Sequence, residues 1–250
     1  QQILKEAKRS INFYLIENCR RRSQNPLGNP WSYAIYHSGT VSNMYSSIHW
    51  AYGRRNDESP SMIGQVSRCL HFYFLEEFGD KSKKTSESDD MRLTKKRGHE
   101  FEWQAVHSLK DVYEPYSYYY DYEAGFKSTL DLMASGVKWI HGGVIIGQGL
   151  VGIPDLLYKV AGQSRFGNYT YIPIDVKNHK HIQKRDIVQV TTYGIILEEV
   201  LVSPCKKGGV WLNTNKISEV DIEKTKPSLL KLMEEMKGIK SCSISTEPFW

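Results

Sequence analysis

The chain has 250 residues, 40% of them apolar and 24% charged, with a net charge of +5. That apolar content supports a real core and excludes a wholly disordered chain. The mild positive charge permits a polyanionic partner without demanding one.

Helical spacing runs over residues 3–22, through Ile3, Ala7, Ile11, Tyr14, Leu15 and Cys19, and ends in Arg20-Arg21-Arg22. Residues 23–60 are rich in Gly, Asn, Ser and Pro and read as loop. Residues 1–60 are therefore taken as a helical, loop-rich N-terminal extension, poorly ordered in part, and 61–250 as the main domain. A single helix is expected over 61–78, with Ile63, Val66, Cys69, Leu70, Tyr73, Phe74 and Phe78 on one side. After a charged loop, a third helix starts near Leu93 and carries Phe101, Ala105, Val106 and Leu109 as its apolar stripe. The tyrosines between Tyr113 and Tyr122 read as a half-buried strand or loop, with base stacking as the alternative. A short helix follows at 130–135.

The period then changes to that of strands. Residues 137–146, 150–160 and 169–176 are β-rich runs, with a tight hairpin at Gly147-Gln148-Gly149. A long helix spans about 182–201, Val210-Trp211-Leu212 is a short strand, and 229–236 is an amphipathic helix. From Leu93 the order is helix, three strands, helix, strand, with the core at about 93–214. The expected class is α/β, a mixed sheet with helices packed on it.

Two strings carry the chemistry, Gly152-Ile153-Pro154-Asp155 and Ile174-Asp175-Val176-Lys177. Each lies at the end of an apolar strand run. Two neighbouring carboxylates repel unless a cation sits between them. Lys177, two residues after Asp175, points to the same strand face. Such a trio can hold a metal ion, orient a water and face a phosphodiester. Asp155 alone reads equally as an ordinary turn aspartate.

Glu102, on the third helix, is one turn beyond Gly98, whose missing side chain leaves room for a close backbone approach. Glu100 points away as a solvated charge, and His99 is the weaker candidate for the role of Glu102. On the long helix Gln189 and Tyr193 share a face, where an amide and a phenol can bond a phosphate or steady the lysine. The segment from His179 to Arg185 is basic. Lys180, Lys184 and Arg185 are the expected phosphate contacts, with a solvated helix start or a His179/His181 metal site as the alternatives.

Pro154-Asp155, Asp175-Val176-Lys177 and Gln189-xxx-Tyr193, together with the run from Thr129 to Gly136, resemble the RecB-like branch of the PD-(D/E)XK nuclease superfamily. That branch includes CRISPR-associated exonucleases and nuclease modules fused to helicases. The resemblance covers about 61–211. It implies a restriction-endonuclease-like α-β-β-β-α-β core and a metal-dependent deoxyribonuclease acting on ends or single strands. Asp155, Asp175 and the Val176 carbonyl would bind Mg²⁺ or Mn²⁺, and Lys177 would position the attacking water. Glu102 stands where family members often carry histidine, and it too can ligate a hard cation. DNA is the implied partner, with a helicase module or CRISPR and repair proteins beside it. An RNA-directed nuclease and a catalytically inactive binding module are the rivals.

The helix around Cys69 also resembles the segment that supplies the first thiolate of an iron–sulfur cluster in this branch; Cys205 and Cys242 lack the close spacing of the other ligands, so such a cluster would be completed by residues outside this chain. A buried structural thiol is the alternative. Without tight cysteine spacing, reduced thiols in a cytoplasmic or nucleoid-associated protein are expected. The longest apolar stretch, 144–157, is broken by glycines, Pro154 and Asp155 and is too short to span a bilayer. A chain that begins at Gln1 rather than Met is expected to be part of a longer protein.

Overall fold

A computed structural model describes residues 58–115 and 121–241. The helix at 3–22, the loop to residue 57, most of the tyrosine cluster, Cys19 and Cys242 lie outside the described residues.

The helix expected over 61–78 is two helices. Ser59 caps α1 (Pro60–Val66) by accepting from the Met62 N–H. The Ser67 hydroxyl then turns back onto the Gly64 carbonyl at 2.7 Å, and the Arg68 and Cys69 amides close three-residue turns onto Gln65 and Val66. Those tighter turns end the helix, and α2 (Leu70–Phe78) restarts from Cys69. The third helix begins earlier than its apolar stripe. Ser88 caps α3 (Asp89–His107), and Asp89 and Asp90 lie in its first turn, where carboxylates suit the helix dipole.

Strand β1 (Val112–Tyr113) precedes α4 (Tyr122–Ala134), which is longer than the six residues expected. The β-rich runs break into β2 (Trp139–His141), β3 (Ile145–Gly147), β4 (Leu150–Gly152), β5 (Leu156–Ser164) and β6 (Gly167–Lys177). Helix α5 (Lys184–Leu201), β7 (Lys207–Leu212), β8 (Ile217–Asp221) and α6 (Ile222–Lys240) follow. The last helix is thus longer than the 229–236 expected.

The main sheet has the order β1-β2-β5-β6-β7-β8. Its β1–β2 and β6–β7 pairs are parallel and the others antiparallel, so the sheet is mixed. Helix α5 is the crossover that the parallel β6–β7 pair requires. The expected order of helix, three strands, helix, strand is present as α3, β2, β5, β6, α5, β7. The expected strand runs 137–146 and 150–160 each divide in two, and β1, β3, β4 and β8 are further strands. Among them, β3 and β4 form a separate hairpin whose two-residue loop is Gln148-Gly149, both with positive φ.

The alternation of β6 sorts its side chains between two layers. Ile172, Ile174 and Val176 join Leu156, Trp139, Phe101, Ala105 and Val106 in a cluster under α3. The opposite face carries Asp175 toward α5. Helix α5 is buried nearly all round, packed by α1, β3, β6, β7 and α6. Its buried Thr191 and Thr192 hydroxyls bond carbonyls one turn back, at 2.7 and 2.8 Å. The β3–β4 hairpin reaches α5 through Gly152, where an added Cβ would meet the Tyr193 ring at 2.9 Å. Gly152→Ala should therefore cost about 1–3 kcal/mol by overpacking, readable as a fall in melting temperature of several degrees; an unchanged melt would mean that the ring yields freely. Gly98, by contrast, has nothing within 4 Å of an added Cβ, so it marks no close approach.

No helix among the described residues is long and apolar enough to cross a membrane.

Candidate active site

The antiparallel register pairs Leu156 with Ile174, and one residue further sets Asp155 opposite Asp175. Asp155 lies just ahead of β5 rather than inside a strand. Its Oδ2 accepts the Val176 N–H at 2.5 Å, tying it to the strand that carries Asp175. Asp175 is fully buried. Lys177, two residues on and on the same face, places Nζ 2.7 Å from Asp175 Oδ2. The trio singled out by spacing is thus brought together at the ends of β5 and β6.

The electrostatics follow from burial. Loss of solvent and then the Asp175 and Glu102 charges push the Asp155 carboxyl well above the usual carboxylate range. Burial raises Asp175 too, against the pull of Lys177. Burial alone would lower the Lys177 pKa, but Asp175 and Asp155 outweigh it, and the ammonium ends above its ordinary value. Lys177 therefore stays charged.

Gln189 and Tyr193 stand behind the acids. Gln189 Nε2 lies 3.2 Å from Asp175 Oδ1, 3.1 Å from the Tyr193 hydroxyl and 3.2 Å from Ser61 Oγ of α1. The Tyr193 hydroxyl donates to the Ile153 carbonyl at 3.2 Å, just before Pro154-Asp155. Their shared helix face therefore braces both acid-bearing segments. Burial and the Asp175 charge hold the phenol neutral, above its usual range.

Glu102 comes from α3, on the other side of the sheet, and is half-buried. Its Oε1 lies 3.3 Å from His141 Nε2, and this bond lowers its pKa, with the charges of His141, His99 and Lys177 adding to it. His99 is mostly exposed and 3.8 Å from Glu102 Oε2, and Glu100 faces solvent opposite Lys96. Lys180 and Lys184 are exposed, whereas Arg185 lies 3.7 Å from the buried Asp186.

Sequence reasoning missed His141, Glu114 and Asp186. His141 ends β2 as Lys177 ends β6, a polar residue closing an apolar run, and that was a usable signal. Asp186 completes a capping box with Gln183, three residues apart, and lies 3.2 Å from His179 Nε2. His179 is thereby engaged in the β6–α5 connection, and His181 is exposed.

Two carboxylates of raised pKa at adjacent strand ends are hard oxygen donors that suit Mg²⁺ or Mn²⁺. No group of three or more His, Cys, Asp or Glu among the described residues gathers in a form that holds a metal. Glu102 is turned to His141 instead. Cys69 is a partly buried free thiol at the start of α2, and Cys205 is buried, its pKa pushed up to about 12 by burial. An iron–sulfur cluster takes four thiolates, and the described residues gather no such set around Cys69.

No family model matches the chain, and no curated protein matches it.

Proposed function

We propose that the chain is a metal-dependent nuclease with a PD-(D/E)XK core, hydrolysing phosphodiester bonds of DNA at ends or in single strands. The observation that carries this reading is the buried Asp175 held against Lys177, with Asp155 tied to the same strand. The order α3, β2, β5, β6, α5, β7, with β2-β5-β6-β7 adjacent in the sheet, supports the core.

Asp155, Asp175 and the Val176 carbonyl would hold Mg²⁺ or Mn²⁺. When bound, such an ion polarises the phosphoryl oxygen and lowers the pKa of its water. The protein's own groups do the rest. Lys177 presents a fixed ammonium where negative charge develops on the phosphorus oxygens and where the attacking water is oriented. Gln189 fixes the rotamer of Asp175, and Tyr193 anchors the Ile153–Asp155 segment. Lys180 and Lys184 meet the phosphate backbone.

End-labelled single- and double-stranded DNA, and RNA of the same sequence, incubated with Mg²⁺, Mn²⁺ or EDTA, test the reading. Cleavage with metal and none in EDTA is expected; no cleavage with any metal and substrate sinks it. Neutralising Lys180 and Lys184 should weaken binding and lower the salt slope by roughly two counterions. Arg185 adds less because Asp186 already faces it. An unchanged slope would place the nucleic acid elsewhere.

A second reading is a nucleic-acid-binding module without catalysis. It is favoured by one observation: Lys177 already compensates Asp175, and no third acidic or imidazole ligand joins the pair among the described residues. Tight binding without cleavage in the same assay would support it.

A further inference from the structure

His141 belongs to none of the motifs above, yet both of its ring nitrogens face carboxylates. Nδ1 lies 2.7 Å from Glu114 Oε1, and Nε2 lies 3.3 Å from Glu102 Oε1. An ionised carboxylate only accepts hydrogen bonds, and a neutral imidazole has a single donor. Satisfying both sides takes two ring N–H groups.

Glu114 is the outermost of the three. The Glu114 side chain is 70% exposed, whereas His141 and Glu102 are 24% and 27% exposed. The ring is carried by β2, which is paired on both sides, by β1 and by β5. Its register sets His141 across from Leu156, and the next residue's amide, Gly142 N–H, bonds the Asp155 carbonyl at 3.1 Å. The imidazole therefore stands on a rigid element one step from the acid pair. Glu102, by contrast, hangs on a flexible side chain whose other neighbour, His99, is mostly solvated.

We propose that His141 is a positioning residue: gripped by Glu114, it holds the Glu102 carboxylate at the mouth of the Asp155–Asp175–Lys177 cluster through a charge-assisted hydrogen bond. The role rests on the nuclease reading above. His141 acts through Glu102, whose carboxylate lies within electrostatic reach of Asp155 and Lys177. Loss of an outer partner of this kind costs about 10- to 100-fold in activity.

Two measurements test it. The first needs no activity. In EDTA at neutral pH, proton–nitrogen NMR should show two protonated nitrogens on the His141 ring. Glu102→Gln should shift the Nε2–H resonance alone, and Glu114→Gln the Nδ1–H alone. A single ring N–H, or an Nε2–H indifferent to Glu102→Gln, overturns the proposal. The second is kinetic. His141→Ala should lower kcat about 10- to 100-fold with KM and melting temperature nearly unchanged. His141→Gln, or imidazole added to His141→Ala, should restore part of the loss. Glu114→Gln, altered in solvent and safe for folding, should give a smaller loss of kcat. Parental kcat in His141→Ala overturns the positioning role while leaving the nuclease standing. If the parent itself cleaves nothing, the nuclease reading falls and the positioning role falls with it, even where the NMR shows the clamp.

Discussion

Lys177→Ala is expected to cut the cleavage rate by about two orders of magnitude or more, as for other groups aimed at a transition-state charge. Metal binding should survive. A protonated ammonium has no lone pair for a cation, and Nζ sits 2.7 Å from Asp175 Oδ2, where it competes for that oxygen. Mn²⁺ affinity should therefore hold or tighten, as calorimetry can measure. Stability in EDTA should fall, because removing one partner leaves two buried carboxylates uncompensated. Added Mn²⁺ should recover it. Cleavage by Lys177→Ala at the parental rate would make the strand motif structural and place the chemistry elsewhere in the chain.

The second large effect joins function and stability. Asp155→Asn should abolish cleavage and weaken Mn²⁺ binding, yet raise the melting temperature in EDTA, by a margin that grows with pH. The Asp155 carboxyl is pushed well above its ordinary value by burial and by Asp175 and Glu102. Below the unfolded-state pKa, about 3.9, the acid is protonated both folded and unfolded, and asparagine mimics it. As pH rises from there toward the raised folded-state value, the unfolded chain ionises freely while the folded one resists. The parent thus loses stability that the variant keeps. Above the folded-state value the difference is constant. Each pKa unit is worth about 1.4 kcal/mol, and each kcal/mol about 2–4 °C for a domain of this size. Excess Mn²⁺ should reverse the order, because binding to the native state stabilises the parent alone. A melting-temperature difference flat between pH 4 and 8 would show that Asp155 ionises as an ordinary aspartate and would remove the electrostatic case for a cation.

Sequence alone determined the parts of this protein that depend on near neighbours. β-rich runs between glycine-containing turns marked the strands, and a 3.6-residue period marked α3 and α5. The two-residue offset in Asp175-Val176-Lys177 put the acid and the ammonium on one face, where they form an ion pair. The four-residue offset from Gln189 to Tyr193 put the amide and the phenol within 3.1 Å. These relations are fixed by backbone geometry within one element, so they are legible without the fold. Local reading erred where hydrogen bonds rather than apolar spacing end an element, as at Ser67–Cys69 and at the start of α3.

Only the tertiary structure decided what meets across elements. The β5–β6 register, not the motif, sets Asp155 against Asp175 and its carboxylate onto the Val176 amide. Glu102 and His141 are 39 residues apart and meet because α3 packs on the sheet that β2 joins. Glu114 likewise meets His141 from 27 residues away. The burial that raises the two aspartate pKa values has the same origin. A carboxylate keeps its ordinary pKa on any isolated strand and departs from it only when helices on both faces of a sheet exclude water.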